Sequence, residues 1–114
     1  MSPSITNVVE DWLEQSLRTD GDATMYDVVH DEPEVAWSAI LQILERELTE
    51  DQTAVLAAGP LEDLLAVHGP QFIERVEREA EQSPRFNHLL GGVWQNQMPR
   101  EIWERVQRAR REVW

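Results

Sequence analysis

The sequence predicts an all-α domain, and three observations carry that expectation. Apolar residues recur at i, i+3, i+4 and i+7 along nearly the whole chain, and nowhere does the pattern alternate as a half-buried strand does. Polar caps followed by proline, such as Ser83-Pro84, mark the points where apolar runs begin. Connections between the runs are short, which favours successive antiparallel helix pairs. The expected architecture is a compact bundle or short stack of such pairs, roughly six to eight helices with some of them short, helical-repeat-like but without a fixed period.

The first element is the clearest. Ile5, Val8, Val9, Trp12, Leu13 and Leu17 form one stripe, while Glu10, Asp11, Glu14 and Arg18 take the other side. Ser4 is its expected N-cap, and Asp20-Gly21-Asp22 its terminating turn. A short helix over 23–30 follows, with Met25, Val28 and Val29 inward. Asp31 then reads as the N-cap of a third helix, with Pro33 in its first turn. That helix carries Val35, Ala36, Trp37, Ala39, Ile40, Leu41, Ile43, Leu44 and Leu48 around a consistent polar strip of only Glu34, Ser38, Gln42 and Glu45, so it belongs near the centre of the domain.

Thr49 and Gln52 have capping-box spacing and open a helix through Val55 and Leu56 that Gly59-Pro60 is expected to break. Pro60 suits the first turn of the next helix, carrying Leu61, Leu64 and Leu65, which His68-Gly69-Pro70 should close. Phe72, Ile73, Val76 and Ala80 define another stripe, flanked by Glu74–Arg78 and Arg75–Glu79 at i, i+4. After Ser83-Pro84, Phe86, Leu89, Leu90, Val93 and Trp94 continue at helical spacing. Gly91-Gly92 within that run either end the helix or permit close backbone approach. Pro99 opens the last helix, with Ile102, Trp103, Val106 and Val113 inward. Trp114, at the end, is expected to fold back as a lid or meet another chain.

With 114 residues, 41% of them hydrophobic and five of them Trp, the chain suits one domain over 1–114 with a real core. It has no cysteine, which removes disulfides, thiolate metal sites and a thiol nucleophile from consideration. Neither a basic-then-apolar leader nor a continuous apolar run of the ~18 residues a membrane span needs is visible, so the expectation is a soluble, cytoplasmic protein.

The net charge of −12 is unevenly spread. Residues 1–65 hold fifteen acids against Arg18 and Arg46, whereas residues 66–114 hold seven acids and eight arginines. Such an acidic half repels nucleic acid and anionic membrane and favours cationic partners. The residues expected to meet a basic protein are Glu10, Asp11, Glu14, Asp20, Asp22, Asp27, Glu45, Glu47, Glu50 and Asp51. The competing expectation is a solubility surface.

Catalytic signatures are thin. Glu62, Asp63 and His68 offer carboxylates and an imidazole, but Glu62 and His68 are six apart, about 240° around a helix. Glu62 is better explained as the third residue after a Gly59 cap, facing free N–H groups, and His68 as a residue at its helix's C-terminus. His30, His68 and His88 lack H-x-x-x-H or H-E-x-x-H spacing, and Asp20, Asp22 and Asp27 miss the calcium-loop pattern. No metal and no cofactor are expected. No serine lies in a G-x-S-x-G elbow, and Gly91-Gly92 does not follow a strand. The arginines at 100, 105, 108, 110 and 111 alternate with Glu101, Glu104 and Glu112 and read as a solvated face.

Gly59-Pro60-Leu61-Glu62-Asp63-Leu64-Leu65 with His68-Gly69, Phe72-Ile73, the Phe86–Trp94 segment and Trp103-Glu104-Arg105 resembles a family of small bacterial helical domains of unknown function. The resemblance covers roughly residues 35–110, implies a helical domain, and transfers no catalytic residue. The functional expectation is therefore a non-enzymatic protein-binding module, an immunity- or inhibitor-type protein whose acidic half engages a toxin, nuclease or DNA-binding complex. The alternatives are a small hydrolase or ligand-binding domain using Glu62 and His68, and a structural homodimer; monomer and homodimer both stay open.

Overall fold

A computed structural model describes residues 4–16 and 23–114. Within them lie α1 (Ile5–Gln15), α2 (Ala23–Asp31), α3 (Pro33–Leu44), α4 (Glu50–Leu56), a π-helical turn (Ala57–Leu61), α5 (Glu62–Gln82), α6 (Pro84–Leu90) and α7 (Arg100–Ala109). The all-α expectation holds: these described elements are all helical. Leu17, Arg18, Asp20, Gly21 and Asp22, and with them the expected turn, lie outside the described residues.

Three caps follow the sequence reading. The Ser4 and Ser83 hydroxyls accept from the N–H groups of Asn7 and Phe86. Thr49 and Gln52 form a full capping box, each side chain accepting from the other's backbone N–H. Asp31 does not cap α3; it is the last residue of α2, and Glu32 stands at the α3 N-cap without a side-chain capping hydrogen bond. Pro33 at N1 has no N–H to satisfy, which makes a capping carboxylate less necessary there.

Two expected breaks are absorbed rather than made. Pro60 lacks the N–H that an α-helix would use, and the chain widens into a π turn in which the Glu62 N–H reaches the Ala57 carbonyl. At His68 the backbone departs to φ −125, ψ 27 two residues before Pro70, so α5 kinks there and continues. Tertiary packing sustains both irregularities: Leu61, Leu64, Leu65, Phe72 and Ile73 are fully or almost fully buried along this run.

α3 packs against α1 and α2 on one side and α5 on the other, as its broad apolar surface requires. The hub is α5, which touches α2, α3, α6, α7 and the π turn. Trp37 joins the layers, its ring 5.9 Å from Phe72 of α5 and 5.7 Å from Phe86 of α6. Gly69 admits α7, since a Cβ there would lie 2.9 Å from the Ile102 side chain. Arg75 does not pair with Glu79 along the helix but crosses to Glu34 of α3.

The C-terminal segment folds back over the molecule. Gly91 and Gly92 both end α6 and form its seat: an added Cβ would meet the Glu112 carbonyl at 2.4 Å or the Trp114 ring at 2.7 Å. The Trp114 N–H donates to the Gly91 carbonyl, its indole N–H donates to the His88 carbonyl, and its ring stacks on His88. Buried Asn87 supports the same segment, donating to the Ala80 and Ala109 carbonyls and accepting from the Arg111 N–H. Trp94 and Val113, expected inward, are exposed. The helix ends at Leu90, so the stripe that pointed Trp94 inward no longer applies to it.

Candidate functional site

The start of α5 brings Glu62 and Asp63 to the wall of a cleft of about 560 Å³. Tyr26 and His30 of α2 form one side, Ala66 and Val67 the floor of α5, and Asn96 and Gln97 the far rim. Three stretches of sequence, widely spaced along the chain, converge here because α2 and the segment after α6 both pack on α5.

Glu62 is not a helix cap. Only 6% exposed, its carboxylate accepts from the Trp94 backbone N–H at 2.7 Å and from the Asn96 side-chain amide at 2.5 Å. The π turn already occupies the N–H groups that a new helix would have left free, so the expected capping role disappears. Asn96 sits in the left-handed region at φ 41, tolerated by asparagine better than by most residues, and this presents its amide to Glu62. Glu62 thus anchors the 94–96 segment across the cleft.

Asp63, half-buried beside it, has its carboxyl held above the usual carboxylate range, first by burial and then by the neighbouring Glu62 charge, with His30 opposing. The His30 Nδ1 lies 2.8 Å from the Tyr26 carbonyl and must carry the proton to donate to it. Its Nε2 is then the acceptor in the neutral ring. The Tyr26 ring lies 4.2 Å from that of His30 and is 56% exposed, so its face is available to a visitor.

His68 does not join Glu62. The kink turns its Nε2 toward α2, where it donates to the His30 carbonyl at 3.2 Å, satisfying one of that helix's terminal acceptors. Sequence spacing separated His68 from Glu62 correctly but assigned it to the end of its own helix. Tyr26, His30, Asn96 and Gln97 were missed; the turn-forming Asn96 was the only one with a local signal, and its partner is 34 residues away. Among the described residues no three of His, Asp and Glu are placed to hold a metal ion.

A second depression adjoins the cleft, sharing Tyr26 and Asp63 and lined otherwise by Trp12, Met25, Val29, Val55, Gly59 and Pro60. The π turn supplies its Gly59-Pro60 edge. The residues of the G-P-L-E-D motif therefore line both hollows as well as the core, through Leu61.

The expected partner-binding acids divide by position. Glu10, Asp11, Glu14, Asp27, Glu45, Glu47, Glu50 and Asp51 are all exposed, whereas Asp20 and Asp22 lie outside the described residues. Glu10 pairs with Arg46, and the Gln52 amide donates to the Ser16 hydroxyl. These two contacts bring the acids of α1 beside those of the α3–α4 corner. The arginines of α7 and its C-cap are only partly a solvated face. Arg105 grips Glu77 with two hydrogen bonds, and Arg110 donates to the Val93 carbonyl and lies over Trp103.

Fold and surface together define a small helical domain with an acidic face and an acceptor-lined cleft. The chain belongs to a family of unknown function (DUF6869), whose model matches residues 11–113, wider than the 35–110 that the motifs suggested. No curated protein and no solved structure gives a match. Among the described residues no helix is long and apolar enough to cross a membrane.

Proposed function

We propose that the domain is a non-enzymatic binding module whose acidic N-terminal half docks on a basic protein surface. It would serve as a bacterial immunity- or inhibitor-type protein, covering a cationic cleft of a toxin, nuclease or DNA-binding complex in the cytoplasm. The observation that carries this reading is the shared surface of α1 and the α3–α4 corner, joined by Glu10–Arg46 and Ser16–Gln52. Acids more than thirty positions apart in sequence, among them Asp11, Glu45 and Glu47, thereby act together, and a field built from several charges steers a partner more than scattered ones do. The Glu62–His68 hydrolase alternative loses support because the two side chains have separate partners.

Affinity capture from the native cell tests the proposal. The domain as bait should retain a basic protein that an Asp11→Lys, Glu45→Lys, Glu47→Lys triple variant releases. Retention of the same protein by both baits, or substrate turnover by the purified domain, contradicts it.

A further inference from the structure

We infer that the cleft beside Tyr26 and Asp63 receives one arginine side chain of the partner protein, with a neighbouring apolar residue of the same segment seated in the adjoining depression. The inference rests on the binding-module reading and adds the residue by which the partner is anchored.

A donor-and-acceptor inventory of the cleft points to the ligand class. Glu62 and Asp63 contribute carboxylates, and no arginine or lysine lines the cavity to answer them. Glu62 has accepted two hydrogen bonds, which leaves part of a carboxylate's roughly four acceptor sites unused. One N–H of the Asn96 amide is spent on Glu62 and the His30 Nδ1–H on the Tyr26 carbonyl, which leaves the Asn96 carbonyl and the Nε2 of a neutral His30 as acceptors among the lining groups. A guanidinium is the complement of such a site, being all donors and no acceptor.

Shape favours arginine over other cations. Its flat fork suits two adjacent carboxylates better than a lysine ammonium does. The half-exposed Tyr26 ring offers a π face to the cation, and Val67, 46% exposed, offers an apolar wall to the methylene stem. The raised affinity of Asp63 for its proton comes from burial and the Glu62 charge, which His30 offsets only in part. Beyond Tyr26 the second hollow is apolar, and an added Cβ on Gly59 would meet nothing within 4 Å, so the edge over the π turn stands open to a side chain.

A capped peptide, acetyl-Leu-Arg-Leu-amide, titrated into the ¹⁵N-labelled domain tests this without the partner. Its control replaces arginine by citrulline, which keeps the stem and shape but removes the charge. The arginine peptide should give saturable shifts at Tyr26, His30, Asp63, Val67 and Gln97, and the control none. Asp63→Asn should weaken binding roughly tenfold or more, and Tyr26→Ala severalfold, each with an otherwise native spectrum. Equal shifts from both peptides, or shifts confined to α1 and the α3–α4 corner, overturn the inference. Methylguanidinium saturating the cleft at lower concentration than the peptide reassigns it to a free small cation and also overturns the docking. A failed titration leaves the salt-sensitive capture of the partner untouched, so the two claims fail separately.

Discussion

Glu62 and Asp63 are neighbours in sequence with opposite relations to their surroundings. Glu62 is buried but answered by two donors, and hydrogen bonds to a charged group contribute about 1.5–3 kcal/mol each. Glu62→Gln should therefore lower stability by about 1.5–3 kcal/mol, because the new amide turns a donor toward a donor; an unchanged urea midpoint contradicts the anchoring role. Asp63 is burdened rather than helped by its surroundings, and its folded pKa lies above the ordinary 3.8. A raised pKa means that the native state holds the proton more tightly, so stability falls as pH rises from about 3.8 through the folded value. Asp63→Asn should accordingly stabilise the free domain at neutral pH, with the advantage fading below the ordinary carboxylate range. Paired denaturation series at acid and neutral pH check the sign. Leu64, by contrast, is a pure core residue with no exposure, and Leu64→Ala should cost about 2–5 kcal/mol.

Local pattern specified the helices better than their junctions. The capping box at Thr49 and the serine caps were readable because each needs only residues within three positions. Gly59-Pro60 and His68-Gly69-Pro70 carry the usual signs of helix ends, yet the chain runs on through a π turn and a kink because its apolar residues remain buried on both sides. Burial by distant elements decided those points, and no window of local sequence contains that information. The glycines at 91 and 92 pose the converse problem: the sequence allowed close approach there, and only the fold identifies Trp114 as what approaches. Gly91→Ala would gain helix propensity but places its Cβ against the Glu112 backbone carbonyl. It should cost about 1–3 kcal/mol and free the C-terminal segment, moving the Trp114 indole N–H signal toward a solvent-exposed position. An unmoved indole resonance contradicts the seat.

At the scale of the whole molecule, helix class and charge asymmetry were legible from composition and periodicity, whereas the cleft was not. Tyr26, Glu62 and Asn96 meet only after α2 and the segment following α6 pack on α5, and none belongs to a recognisable spacing. The same packing gives the acidic half its form, joining α1 to the α3–α4 corner. That joining makes the central claim measurable through the association rate of a captured partner, followed by surface plasmon resonance at low and high salt. The screening length falls from ~10 Å at 0.1 M to ~3 Å at 1 M, so steering by the acidic face should fade over that range. The wild-type on-rate should drop steeply with salt, and the Asp11→Lys, Glu45→Lys, Glu47→Lys variant should be slow at low salt. Arg108→Glu with Arg111→Glu, on the opposite arm of the charge distribution, should bind about as fast as wild type. An on-rate independent of salt and equal in all three proteins would mean that the acidic surface serves solubility and not recognition.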